Sequence, residues 1–124
     1  MKNDFDEDMI NFLDIWLIVE SQNFIGEKIV DFYIKHWSDK RALPLFSKII
    51  SCMSLASMQS TIHSLIVNSE RSELKLTREH KKEIAISILI DLSRKDNVDF
   101  DTYRKELIRS ISGYYLTVER KWAR

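Results

Sequence analysis

At 124 residues, with 44% hydrophobic and 31% charged side chains, the chain has the make-up of one soluble globular domain with a single sizeable core. Two glycines and one proline argue against turn-rich β architectures and against glycine-built phosphate loops, both of which depend on positive-φ positions. The formal net charge of zero conceals an uneven spread: residues 1–31 hold eight acids against two lysines, a net of −6 that the remainder balances. A molecule polarised in this way steers charged partners, although acids near a helix start also complement the helix dipole.

In chain order, Phe5, Met9, Phe12, Leu13, Trp16 and Leu17 recur at three and four and predict an amphipathic first helix. Asp4 or Asp6 can cap it, and "SQN" (Ser21 to Asn23) ends it. A second helix is expected from Phe24 to about Trp37, with Ile25, Ile29, Phe32 and Tyr33 inward and Gly26 marking a loose start. Residues before Pro44 are pushed out of helical geometry, while proline itself suits a first turn. The third helix is therefore expected from Pro44 to Asn68, with Leu45, Ile49, Met53, Ala56 and Ile62 to Ile66 inward. Serines in its middle, "SCMSLASMQS", can bond back to the preceding turn and bend it. Its methionines read as adaptable core filler.

Thr77 can cap a fourth helix, "REHKKEIAISILIDLSRK". The alternation Ile84, Ile86, Ile88, Ile90 also fits a buried strand, but length and flanks favour a helix covered on several sides. Next comes "DNVDFDTYRKEL", where Asn97, Asp99 and Asp101 imitate the start of a calcium loop. Such a loop from Asn97 needs glycine sixth and glutamate twelfth, and those places hold Thr102 and Ile108. A helix junction uses every residue instead. Asp99 caps a fifth helix, Val98 packs on Tyr103, and Tyr103, Leu107, Ile111, Tyr114, Val118 and Trp122 form its core face. Gly113 within that stripe implies a kink or a close approach by a neighbour. The expected fold is all-α: a compact bundle of about five helices without a sheet, one domain over residues 1–124.

The acidic N-terminus lacks the basic-then-apolar form of a secretory leader, and "IAISILI" (Ile84 to Ile90) is too short to span a bilayer. Cys52, the one cysteine, excludes an internal disulfide and suits a reducing compartment, so a cytoplasmic location is expected. Cys52 and His63 share the predicted third helix but stand about 16 Å apart by helical rise, too far for a nucleophile and its base. Cys52 reads as a small buried hydrophobe. His80 and Glu83 have a spacing used in helical metal sites, but no second Glu-x-x-His accompanies them, and they read as a solvated pair. His36, near the end of its helix, reads as a surface or boundary residue. No catalytic motif occurs, so neither enzymatic activity nor a cofactor or metal is expected.

Basic residues gather in the last helix: Arg104, Lys105, Arg109, Arg120, Lys121 and Arg124 outnumber Glu106 and Glu119, a net of +4 over residues 104–124. A nucleic-acid regulator could use that stripe on phosphates. A sequence pI near 6.8 and the lack of a placeable helix-turn-helix weigh against it. Among the aromatics, adjacent Tyr114 and Tyr115 cannot both point inward, and exposed aromatics beside charge are typical protein-contact anchors.

The acidic segment "NDFDEDMINFLD", in a small helical chain, resembles the bacterial immunity proteins that neutralise colicins or contact-dependent-inhibition toxins. The resemblance implies a cytoplasmic protein that binds a basic, nuclease-type toxin domain and occludes it stoichiometrically. Asp4, Asp6, Glu7, Asp8 and Asp14 would steer toward the cationic toxin surface, and Phe5 or Trp16 would supply the buried anchor. A helical subunit or chaperone of a larger bacterial assembly fits the same features.

Overall fold

The computed structural model describes residues 4–18, 22–72 and 74–113, with the side chains of 15–18 and 22–24 outside that description. Among the described residues the chain forms six helices and no strand: α1 (Asp4–Ile18), α2 (Gln22–His36), α3 (Ala42–Ile50), α4 (Leu55–Ser69), α5 (Arg78–Ser93) and α6 (Phe100–Ile111). Five of them close a ring of packed neighbours, in which α2 meets α3, α3 meets α5, α5 meets α6, α6 meets α4 and α4 returns to α2. Helix α1 stands outside the ring, packed on α2.

The one helix expected over Pro44–Asn68 is two, and that accounts for the sixth element. Beyond Ile50 the N–H groups of Cys52 and Met53 bond three residues back, tightening the turn, and the Ser51 hydroxyl bonds the Lys48 carbonyl. Ser54 then swings to φ −64°, ψ 162° and caps α4, its hydroxyl oxygen accepting from the Ser57 N–H. The serine-rich segment thus breaks the helix instead of bending it. One consequence is a phase change: Ala56 is exposed, and Met58 takes the core position beyond the corner. Met53 pins that corner, with its carbonyl accepting from the Tyr103 hydroxyl at 3.3 Å.

The N-caps of the later helices follow the sequence. Thr77 accepts from the His80 N–H, and Asp99 accepts from both the N–H and the hydroxyl of Thr102. Those bonds hold the Asp99 carboxyl below its ordinary range. Gly113 lies at φ +84° just after Ser112, past the last residue of α6, its N–H bonding the Ser110 carbonyl, a left-handed position that suits glycine. The expected continuation through Tyr114, Val118 and Trp122 lies outside the described residues.

The core runs through the middle of the ring. Ile29, Val30, Phe46, Ile50, Met58, Ile62, Leu65, Ile84, Ile88, Leu92 and Leu107 are fully buried. The expected inward set of α2 is buried in full. Helix α5 is covered less than expected, since Ile84, Ile88 and Leu92 face the core while Ile86 and Ile90 are exposed. Gly26 has a definite role at the α2–α4 crossing. Any Cβ there would collide with the Thr61 hydroxyl, so glycine lets the two backbones approach.

Candidate functional site: the outer face of α1

Helical phase sorts the acids of α1. Phe5 and Phe12 point at α2, where Phe5 meets the Phe32 ring edge-on at 5.2 Å and Phe12 meets it at 6.2 Å. At 100° per residue, Asp6 lies on one flank of that apolar stripe and Asp8 on the other, Glu7 and Asp14 lie opposite it, and Asp4 and Asn11 fall between Asp8 and that outer side. The partners follow this division.

Asp8 sits at the α1–α2 seam. It accepts from His36 Nε2 and from Lys35 Nζ, both at 2.7 Å. The bonds from Lys35 and then His36 hold its carboxyl below the usual range. His36 is buried and therefore no surface residue, its ring lying 4.9 Å from Phe32 and 5.3 Å from Phe5. Asp6 works on the other flank, accepting from Arg41 at 3.0 Å. The Arg41 guanidinium also lies 4.1 Å over the Phe5 ring and forks onto Asp39, whose carboxyl it holds down at about 2. Arg41 thus locks α1 to the α2–α3 turn, a role its position in "SDKRALP" does not reveal.

Asp4, Glu7 and Asp14 remain. All three are exposed and make no ion pair among the described residues. Ile10 stands with them, 45% exposed. Its phase, one position past Met9, made this legible from spacing alone. The outer face of α1 is therefore a strip of three acids and an amide around one bare aliphatic side chain.

Of the seven acidic and aromatic candidates, the structure brings Asp4, Glu7 and Asp14 onto one accessible face. Asp6 and Asp8 are engaged within the fold, and Phe5 is in the core at 4% exposure instead of on the surface. Trp16 belongs to α1, but its side chain lies outside the described residues.

The basic candidates are distributed differently. Arg104 pairs with Asp101 at 3.7 Å and Arg109 with Glu106 at 3.5 Å, each one turn apart on α6, and Lys105 is exposed. Arg120 and Lys121 lie outside the described residues. Among the described residues no group of three metal-ligating side chains occurs, and no helix is long and apolar enough to cross a membrane.

Two further expectations are corrected. Cys52 is exposed, because the broken helix leaves it in the α3–α4 turn, where its sulfur accepts from Lys95 Nζ at 3.3 Å. His80 is half-buried and bonds the Tyr33 hydroxyl at 2.8 Å, so it is not half of a solvated pair with Glu83.

The chain matches no family model, no curated protein and no solved structure.

Proposed function

We propose that this chain works by binding another protein through the outer face of α1, and that its role is to neutralise a cognate bacterial toxin by stoichiometric occlusion. The observation that carries the reading is the strip Asp4, Glu7, Ile10, Asn11, Asp14: acids with no ion pair among the described residues around an exposed isoleucine. Unpaired carboxylates steer a basic partner and set its register, while the aliphatic side chain offers the water-excluding contact that charge alone does not supply. The partner this face suits is a cationic surface such as that of a nuclease-type toxin domain.

The strip's position also fits occlusion. Helix α1 is anchored along both flanks by Asp6–Arg41 and Asp8–His36, so its backbone is already ordered before binding and only the exposed side chains lose freedom.

The test compares capture by the wild-type chain and by the Glu7→Lys, Asp14→Lys double variant from nuclease-treated bacterial lysate. A near-stoichiometric basic protein, retained by the wild type and weakened about tenfold or more in the variant with its fold retained, supports the reading. Equal retention by both overturns the α1 face. If no protein is retained after nuclease treatment, but nucleic acid co-purifies from an untreated lysate, attention transfers to Arg104, Lys105 and Arg109 on α6.

A further inference from the structure

A cleft opens where α2, α3 and α5 converge, lined by none of the residues of α1. This cleft of about 490 Å³ is lined chiefly by Tyr33, Trp37, Leu43, Pro44, His80 and Glu83. Helix α3 packs on both α2 and α5, and the Tyr33–His80 hydrogen bond ties the outer two together. Tyr33 is only 1% exposed and forms the floor. Trp37, just past the end of α2, is 42% exposed, with its ring 5.8 Å from the His80 imidazole and inclined at 45°. A tryptophan left this bare beside a cavity offers a large π face to whatever enters.

The charge of the cleft comes from few groups. His80, Glu83 and Ser87 are spaced three and four along α5 and all face it. Glu83 is exposed and makes no ion pair among the described residues. Its negative charge is felt at the floor: burial first, and then Glu83, pushes the Tyr33 phenol up to about 12. Asp39, also on the rim, is already committed to Arg41 at 2.8 Å. Lys40 stands on the same turn, on a stem long enough to hold its ammonium in solvent. The cleft therefore combines an indole face, one uncommitted carboxylate and an apolar wall.

We propose that this cleft receives the guanidinium of an arginine side chain from a basic polypeptide. The guanidinium plane lies against the Trp37 indole, its N–H groups bond the Glu83 carboxylate, and its methylene stem runs along Leu43 and Pro44. Arginine suits the site better than lysine because one planar group both stacks and forks onto a carboxylate. The choice of a polypeptide as the source of the side chain rests on the function proposed above, whereas recognition of the guanidinium does not.

The test is an NMR titration of the full chain with N-acetyl-Gly-Arg-Gly-amide. It follows the Trp37 indole N–H resonance, identified by its loss in Trp37→Phe. The control replaces arginine by citrulline, which keeps the shape and removes the charge. A saturable shift with the arginine peptide is expected, weakened about two- to fivefold with citrulline and in Glu83→Gln, as for an ion pair to an exposed carboxylate. A shift that does not saturate, that matches in the two peptides, or that survives Glu83→Gln overturns the proposal. The wild-type comparison of the two peptides decides even if a variant fails to fold. Glu7→Lys, Asp14→Lys retains arginine-peptide binding if the cleft acts as described, so failure of the α1 reading and failure of this one are separable.

Discussion

The Asp8 carboxylate ties α1 to the end of α2. It receives Lys35 and His36 at once, at 2.7 Å each, and those bonds lower its pKa from 3.8. Because the folded value lies below the unfolded one, the contribution is present in full only well above the unfolded pKa of 3.8 and is lost as the pH falls past it through the folded pKa. Asp8→Asn should therefore melt below the wild type at pH 6, and thermal scans between pH 6 and 2 should show the gap shrinking in acid. Tyr33 titrates at the opposite end. With its phenol raised to about 12, one of the four tyrosines should ionise late in an absorbance titration, and Tyr33→Phe should remove that step. Here the folded state holds its proton longer than the unfolded one, so stability falls as the pH rises above 10. Cys52 offers the quickest check at this scale. Folded protein should react with a thiol reagent without denaturant, because the side chain is exposed in the α3–α4 turn.

Between elements, the contact with least tolerance is the α2–α4 crossing at Gly26 and Thr61. Alanine in place of glycine gains about 0.5–1 kcal/mol of helix propensity in general, but here its methyl meets the Thr61 hydroxyl. Overpacking of this kind typically costs about 1–3 kcal/mol, so Gly26→Ala should be net destabilising in denaturant unfolding. In a Thr61→Ala background the same substitution should cost less or stabilise, and a double-mutant cycle reads the coupling directly. Much of this layer was legible beforehand. Asp99 and Thr77 were recognisable caps because capping is a local bond to the N–H three residues on. The α3–α4 break was less so, because a serine run is compatible with a bent helix and with a broken one. The choice was made by Met53, which is buried at the corner and holds Tyr103 of α6, a contact across fifty residues.

At the scale of the molecule, the acids of α1 divide into those paired within the fold, Asp6 and Asp8, and those left exposed, Asp4, Glu7 and Asp14. Reversing Asp14 should leave stability within about 0.5 kcal/mol, as for a surface position away from special contacts, whereas Glu7→Lys should cost about 0.3–1 kcal/mol more because Glu7 lies in the first turn of α1, where the helix dipole favours an acid. Asp6→Lys should instead lower it, since it breaks the Arg41 link and sets a lysine beside that guanidinium. If both double and single variants melt like the wild type, the α1 anchor is not what holds that helix in place.

Local periodicity was enough to determine the all-α class, the inward residues of α2 and the two recognisable caps. Each of these depends only on residues three or four apart, and a helix repeats at that interval wherever it lies. Only the tertiary structure decided which acids stay available to a partner, that Phe5 and His36 are buried together, that His80 bonds Tyr33, and that Cys52 faces solvent. Those outcomes depend on pairs separated by 28 residues for Asp8 and His36, 35 for Asp6 and Arg41, and 47 for Tyr33 and His80. Such pairs exist only because the helices close into a ring with α1 laid against α2, and no spacing along the chain encodes that packing.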